Sequence, residues 1–166
     1  MSVAITDERP ADAAAIRALV ESAFAGAPYA SGNEGRIVDG LRADGDMTFS
    51  LVAVQDGVVV GHLAASPARV GTAPGWLAIG PLAVAPALQR QGIGSRLLEA
   101  ALQRATRAGA PGLVLVGDPG YYGRFGFAAA PGLTYRATDA HHILRRTLAG
   151  PAATGEIRFA PALQGA

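Results

Sequence analysis

The feature that most limits how this chain can fold is a glycine turn between an apolar segment and a strongly patterned helix. Residues 76–84 form an apolar, strand-like segment, and the turn Gln89-Arg90-Gln91-Gly92-Ile93-Gly94 follows shortly after it. From residue 93 to 108, apolar side chains recur at the spacing of a helix face. These are Ile93, Leu97, Leu98, Ala101, Leu102 and Ala105. The pattern predicts a strand that passes into an amphipathic helix through a tight turn.

The same turn has the chemistry of an anion site. The first amides of a helix lack partners within the helix and lie at the positive end of its dipole. Glycines at this point let a phosphate approach the backbone without meeting a Cβ. We therefore predict that the amides from Gln91 to Ser95 bind a pyrophosphate and that Arg90 adds positive charge nearby.

Two better-known phosphate motifs fit this turn poorly. The P-loop requires a lysine followed by serine or threonine, and the chain contains no lysine. The dinucleotide fingerprint G-x-G-x-x-G requires a third glycine, and Leu97 stands at that position. An unrelated ATP- or NAD-binding protein is therefore a disfavoured alternative.

The rest of the chain alternates between strand-like and helix-like segments. Strands are expected at residues 3–6, 48–54, 58–65, 76–84 and 113–116, and weaker ones at 133–136, 143–147 and 156–159. Helices are expected after Pro10 and Asp12, from about Glu34 to Asp44, and over 93–108. Residues 26–32, with Pro28, are expected to be a loop, and 67–75 a Gly/Pro-rich connector. This order predicts a mixed α/β sheet with helices on both faces.

Composition sets limits on location and partners. At 166 residues the chain is expected to be one domain, 1–166. A formal net charge of +1 provides no global field that would attract nucleic acid or an anionic membrane. The absence of cysteine, and of an N-terminal signal pattern, is consistent with a cytoplasmic protein. The oligomeric state, monomer or homodimer, stays open.

Two motifs together resemble one enzyme family. The spacing Gln-x-x-Gly-x-Gly after Leu82-Ala83-Val84 resembles the acetyl-CoA site of the GCN5-related N-acetyltransferase (GNAT) superfamily. Tyr121-Tyr122-Gly123-Arg124-Phe125-Gly126-Phe127 resembles its Tyr-x-x-x-Gly-Phe segment. With Gly80-Pro81, the chain looks most like the YhbS-like N-acetyltransferases. The specific motifs cover residues 79–127.

The resemblance implies a fold, an activity and a donor. The fold is a central mixed, mostly antiparallel sheet of about six to seven strands. The activity is direct transfer of an acetyl group from acetyl-CoA, as acyl-donor cosubstrate, to a primary amine of a small molecule or peptide. The alternative is a CoA-binding sensor or regulatory module with little or no catalysis. No metal is implied, and we interpret His141-His142 with Asp139 as a solvated pair.

The resemblance also implies roles for individual residues. The cofactor-binding residues would be Leu82, Ala83, Val84, Gln89, Arg90, Gln91, Gly92, Ile93, Gly94 and Ser95. Backbone groups of Leu82 and Val84 would pair with the pantetheine arm like an added strand, and the Leu82 amide would stabilise the oxyanion. Tyr122 would be the catalytic acid, because a phenol with a pKa near ~10 stays protonated at pH 7. Tyr121 is its neighbouring competitor.

The general base is open at this point. Relatives carry a glutamate on the strand before the glycine turn, but residues 76–84 contain no carboxylate. The candidates elsewhere are His62, Glu34 and Asp118, each of which also has an ordinary structural interpretation. A base is dispensable if ordered water takes the proton, or if the acceptor is an α-amine with a pKa of about 8, which is partly neutral at physiological pH.

Overall fold

The structure is a computed structural model that describes residues 2–27 and 30–165. Its strands are β1 (Val3–Asp7), β2 (Phe49–Gln55), β3 (Val58–Val70), β4 (Ala73–Val84), β5 (Gly112–Val116), β6 (Leu133–Thr134), β7 (Ile143–Thr147) and β8 (Gly155–Phe159). Its helices are α1 (Ala13–Phe24), α2 (Glu34–Ala43), α3 (Ile93–Arg107) and the one-turn α4 (Pro119–Tyr122) and α5 (Pro161–Gln164). The predicted loop at 26–32 includes residues 28 and 29, which lie outside the described residues.

The described strands form one mixed sheet. Its main path is β1-β2-β3-β4-β5-β7, while β8 pairs with the far end of β3 and β6 pairs with β8. Apart from β4 with β5 and β6 with β8, which run parallel, neighbouring strands are antiparallel. The predicted mixed, mostly antiparallel sheet is confirmed, with eight strands in the described chain where six to seven were expected.

Helices cover both faces of the sheet, as predicted. On one face, α3 buries the apolar stripe seen in the sequence against alternate residues of the central strands, such as Leu63 and Leu113. On the other face, α1 and α2 pack Ile16, Val20 and Val38 against Val52 and Ala83. None of the helices in the described part of the chain is both long and apolar enough to cross a membrane.

The expected connector at residues 67–75 is wrong. Strand β3 continues to Val70 and β4 begins at Ala73, so most of this segment is strand. Pro67 lies where β3 changes neighbours, since its pairing with β2 ends at Ala65 and its pairing with β8 begins at Ala68. A missing N–H costs no ladder bond at such a gap, so proline is tolerated there.

Strands β4 and β5 separate partway along their length. In the described structure they pair at Leu77↔Leu113 and Ala78↔Val114. Beyond that point β4 stays paired with β3 as far as Val84, and β5 stays paired with β7 as far as Val116. An open cleft therefore lies in the middle of the sheet, with one edge formed by residues 80–84 and the other by the end of β5.

Candidate active site

A bulge in β4 marks the beginning of the cleft. Leu63 of β3 pairs with Leu82, but Ala65 pairs with Ile79, so β4 uses three steps where β3 uses two. The additional residue lies at Gly80-Pro81. Bulges bend the strand that carries them and increase its twist. The bulge therefore accounts for the way β4 stays with β3 and leaves β5.

Backbone groups of Leu82 and Val84 face the cleft. The Ala85 N–H donates to the Val60 carbonyl at 2.8 Å, which directs Ala85 toward β3. Successive residues of an antiparallel strand direct their backbone groups to opposite edges. Ala83 therefore also faces β3, whereas Leu82 and Val84 face away from it. The Val84 carbonyl accepts a hydrogen bond from the Gln89 side chain at 3.1 Å, which ties the following turn to the strand.

The glycine turn ends at the N-terminus of α3, as the sequence predicts. Gly92 is the N-cap residue and has a φ of 85°, a left-handed conformation that favours glycine. The first hydrogen bond of the helix runs from the Arg96 N–H to the Gly92 carbonyl at 3.1 Å. The amides of residues 93–95 precede this bond and have no acceptor within the helix. The side chain of Ile93 is buried, so its contribution to an anion site would come from its amide alone.

The two adjacent tyrosines lie at different parts of the site. A Cβ added to Gly94 would lie 2.9 Å from the Tyr121 hydroxyl oxygen, so this hydroxyl lies against the first turn of α3. A Cβ added to Gly117 would lie 2.5 Å from Cε2 of Tyr122, so the Tyr122 ring covers the residue that follows β5. The Arg124 guanidinium stacks 4.8 Å from the centroid of the Tyr121 ring and adds positive charge there. Tyr121 is thus a neighbour of the glycine turn, a position that the sequence did not assign to it.

His62, the first candidate base, is fully buried and already hydrogen-bonded. Its Nε2 lies 2.7 Å from the Ser50 hydroxyl, which lies 2.5 Å from the Glu8 carboxylate, and Arg42 donates to Glu8 at 2.8 Å. Burial lowers the pKa of His62 to about 4, against the opposing effect of the Glu8 charge. A buried neutral imidazole of this kind is a poor base for an amine that arrives from solvent.

The other two candidate bases shape loops. The Glu34 carboxylate accepts the Ser31 N–H at 2.8 Å, the Ser31 hydroxyl at 2.9 Å and the Gly32 N–H at 3.2 Å. Burial would raise the pKa of Glu34, but the hydrogen bonds from Ser31 outweigh it and lower the pKa. Asp118 caps α4, since its carboxylate accepts the Gly120 N–H at 3.0 Å. Both carboxylates therefore have structural partners.

His142, predicted from the sequence to be one of a solvated pair, lies beside the end of β5. The backbone N–H of Gly117 donates to the His142 carbonyl at 2.9 Å, and Nδ1 of the exposed His142 ring lies 3.1 Å from the Gly117 carbonyl. The two histidines of the predicted solvated pair are both exposed but have different partners, because the His141 ring bonds Asp139 through Nδ1 at 3.1 Å. No local pattern reveals the contact, because 25 positions separate Gly117 from His142.

Comparison with known proteins gives concordant matches. A model of the acetyltransferase (GNAT) family matches residues 14–127. The chain is 38% identical over 140 residues to the uncharacterized N-acetyltransferase YhbS of Escherichia coli K12, covering 83% of this chain and 75% of that protein. It is 41% identical to a GNAT family acetyltransferase from Brucella melitensis solved in complex with acetyl-CoA, with a TM-score of 0.87 and 98% of each chain covered. Its TM-score with Escherichia coli YhbS in complex with CoA is 0.89 at 32% identity, covering 98% of this chain and 92% of that chain.

Proposed function

The chain belongs to the acetyltransferase (GNAT) family and is an N-acetyltransferase, and we propose that it transfers the acetyl group of acetyl-CoA directly to a primary amine of a small molecule or peptide. The observation that carries this proposal is the cleft between β4 and β5, which leads to the glycine turn at the start of α3. An extended, amide-bearing chain fits beside an open strand edge, and a pyrophosphate fits at the first amides of a helix.

In this proposal the donor is held mainly by backbone groups. The pantetheine arm pairs with the Leu82 carbonyl and with the Val84 N–H, since Gln89 already occupies the Val84 carbonyl. The pyrophosphate binds the amides of residues 93–95, with Arg90 and Arg124 as neighbouring cations. Tyr121 lies against the same turn and contributes its hydroxyl to the phosphate end of the cofactor. The choice of donor is supported by the two similar structures, one solved in complex with acetyl-CoA and the other with CoA.

The chemistry of transfer requires a group for the carbonyl oxygen and a group for the sulfur. The Leu82 N–H faces the cleft and stabilises the oxyanion that forms when the amine attacks the thioester. Tyr122 donates its hydroxyl proton, or a strong hydrogen bond, to the departing thiolate. A phenol is the weaker acid than a thiol by about 1.5 pKa units, or roughly 2 kcal/mol, so full proton transfer depends on a site that solvates the thiolate poorly.

Titration calorimetry with acetyl-CoA tests donor binding. We expect binding of acetyl-CoA and CoA, and none of ATP or NAD. A panel of primary amines, assayed by the release of free thiol, then tests transfer. Tight binding of acetyl-CoA without turnover on any amine would favour the alternative of a CoA-binding sensor, and binding of ATP or NAD in place of CoA would refute the proposal.

The adjacent tyrosines provide a matched pair of variants. Tyr122→Phe should lower kcat by roughly 10²-fold, the lower end of what a positioned proton donor contributes, and leave the Kd of acetyl-CoA unchanged. Tyr121→Phe should instead weaken acetyl-CoA binding by several fold and leave kcat nearly intact, because its hydroxyl lies beside the glycine turn. The reverse result would exchange the two assignments and refute the role given to Tyr122.

A further inference from the structure

We propose that His142 is the proton acceptor for the amine substrate, and that this base makes aliphatic primary amines, which are charged at neutral pH, productive acceptors. The inference rests on the function proposed above and names a residue and a substrate class for the same site. Its starting observation is the hydrogen bond from the His142 ring to the Gly117 carbonyl, at the end of β5 that borders the cleft.

The hydrogen bond determines which nitrogen of the neutral ring carries the hydrogen. A carbonyl oxygen only accepts, so Nδ1 must carry the hydrogen in the 3.1 Å contact between His142 and Gly117. In the neutral imidazole the other nitrogen, Nε2, then has a free lone pair. Because the side chain is exposed, Nε2 is accessible to a substrate and can pass its proton on to solvent. The backbone bond from the Gly117 N–H to the His142 carbonyl holds the residue at this position.

Gly117 brings the proposed base and the proposed acid to one place. The Tyr122 ring packs on the Cα side of Gly117, and the His142 ring contacts its carbonyl. Gly117 directly follows Val116, the last residue of the strand that borders the cleft opposite Leu82. In the proposed complex the thioester lies along Leu82. The side chains of Tyr122 and His142, which both contact Gly117, then approach it from the β5 side.

The other candidate bases already have structural partners. His62 is buried on Ser50, and Glu34 and Asp118 accept loop amides, as described above. The ionisable groups on the elements next to His142 are Asp139 and His141 in its own turn, Arg145 and Arg146 on β7, and Asp118, Tyr121, Tyr122 and Arg124 after β5. Asp139 accepts the backbone N–H of His141 at 2.9 Å and its ring nitrogen at 3.1 Å, so its carboxylate is occupied by the neighbouring residue.

The proton balance of the reaction is complete with these groups. The ammonium N–H bond breaks and an Nε2–H bond forms on His142, which leaves a neutral amine. The amine attacks the acetyl carbonyl and the C–S bond breaks. Tyr122 gives its hydroxyl proton to the departing thiolate, and the second proton of the nitrogen passes to the Tyr122 phenolate and restores the hydroxyl. His142 then releases its proton to solvent, so that ammonium and acetyl-CoA give amide, CoA thiol and one proton.

Two acceptors that differ in pKa provide the test. At pH 7.5 about a quarter of an α-amine with a pKa near 8 is neutral, against about 0.1% of an aliphatic amine with a pKa near 10.4. Without a base, kcat/KM should follow these fractions, a ratio of about 200. We expect His142→Gln to lower kcat/KM for the aliphatic amine by roughly 10²-fold and for the α-amine by less than about tenfold. His141→Gln, one position away on the same exposed turn, should change neither.

The pattern of loss separates the possible explanations. Equal losses for both amines in His142→Gln would indicate a structural role and refute the inference, while leaving the proposed acetyltransfer intact. Wild-type protein without turnover on any amine would refute the proposed function and the inference together. Support for His142 as the base requires a loss confined to the aliphatic amine, restored in His142→Ala by added imidazole, while imidazole leaves the activity of His141→Ala unchanged.

Nuclear magnetic resonance gives a test that needs no acceptor. Long-range ¹H–¹⁵N correlation spectra distinguish the two neutral tautomers of a histidine ring, and His142→Gln assigns the signals. The expected result for His142 is a protonated Nδ1 and an unprotonated Nε2. A ring found with its hydrogen on Nε2 would contradict the hydrogen bond to Gly117 and overturn the proposal.

Discussion

Acidification from pH 7 to pH 5 should destabilise the folded protein through one buried imidazole, that of His62. Its side chain is fully buried, and burial lowers its pKa to about 4 in the folded state, from 6.5 for the free side chain. Over this range the unfolded chain binds a proton that the folded chain excludes. The free energy of unfolding therefore rises with pH across the window. The contribution of His62 to that free energy is lost as the pH falls from about 6.5 to about 4.

The size of the effect follows from the same two values. Each pKa unit corresponds to about 1.4 kcal/mol, so the complete shift is worth roughly 3 kcal/mol. Between pH 7 and pH 5 the two titration curves give a loss of about 2 kcal/mol. The groups that face the imidazole network are Glu8 from β1, Ser50 from β2 and Arg42 from α2. Burial acts to raise the pKa of Glu8, but Arg42 and Ser50 outweigh it and lower it, so Glu8 contributes below this window.

Urea unfolding at pH 7, 6 and 5 measures the loss as a change in midpoint at constant slope. His62→Gln keeps a polar side chain near Ser50 but has no titratable group. The quantity to compare is the change in the free energy of unfolding between pH 7 and pH 5, because this change measures proton uptake by His62. The stability of the variant at pH 7 alone does not measure it. The variant should lose most of that dependence, and His141→Gln, an exposed control, should retain it. An equal fall in stability for wild type and His62→Gln would refute the assignment to His62.

Two further predictions concern glycines at the site. Gly92→Ala should destabilise the protein by about 1 kcal/mol, because residues with side chains disfavour its left-handed φ of 85°, and thermal unfolding measures this loss. The same variant should weaken acetyl-CoA binding, which calorimetry measures. Gly109→Ala, with a φ of 75° at the far end of α3, is the matched control, expected to lose stability but keep its affinity for acetyl-CoA. Gly117→Ala places a Cβ 2.5 Å from the Tyr122 ring, so kcat should fall at least tenfold with an unchanged Kd for acetyl-CoA, and an unchanged kcat would contradict the place given to that ring.

The parts of the fold that the sequence predicted are those specified by local patterns. The stripe of α3 and the neighbouring strands expected at 48–54 and 58–65 lie within short segments, and the structure has a helix and two paired strands there. The family resemblance is also confirmed, and with it the mixed, mostly antiparallel sheet. The connector at 67–75 was mistaken because Pro67 favours a loop locally, whereas the change of neighbour from β2 to β8 makes proline acceptable in a strand.

The parts of the site that the sequence missed depend on contacts between distant segments. The cleft arises because β4 stays paired with β3 while β5 stays paired with β7. These pairings join strands that are distant in the sequence, so no short segment predicts them. Some polar residues that were candidate bases instead make local hydrogen bonds. Asp118, for example, accepts the Gly120 N–H at the start of α4. His142 was interpreted as a solvated residue, and it is exposed; its contact with Gly117, which follows β5, leaves no local pattern because 25 positions separate the two residues.

The geometry divides the two substrates between two kinds of protein group. In the proposed function the donor binds largely to backbone groups, namely those of Leu82 and Val84 and the amides of residues 93–95, so substitutions that preserve the turn and the bulge should leave donor binding intact. The proposed acceptor chemistry depends on one side chain, His142, whose ring contacts the Gly117 carbonyl. Acceptor preference should therefore change through substitutions at this turn while the affinity for acetyl-CoA stays constant. The glycine turn therefore predicts the cofactor and carries no information about the acceptor, because in this proposal the acceptor contacts other residues.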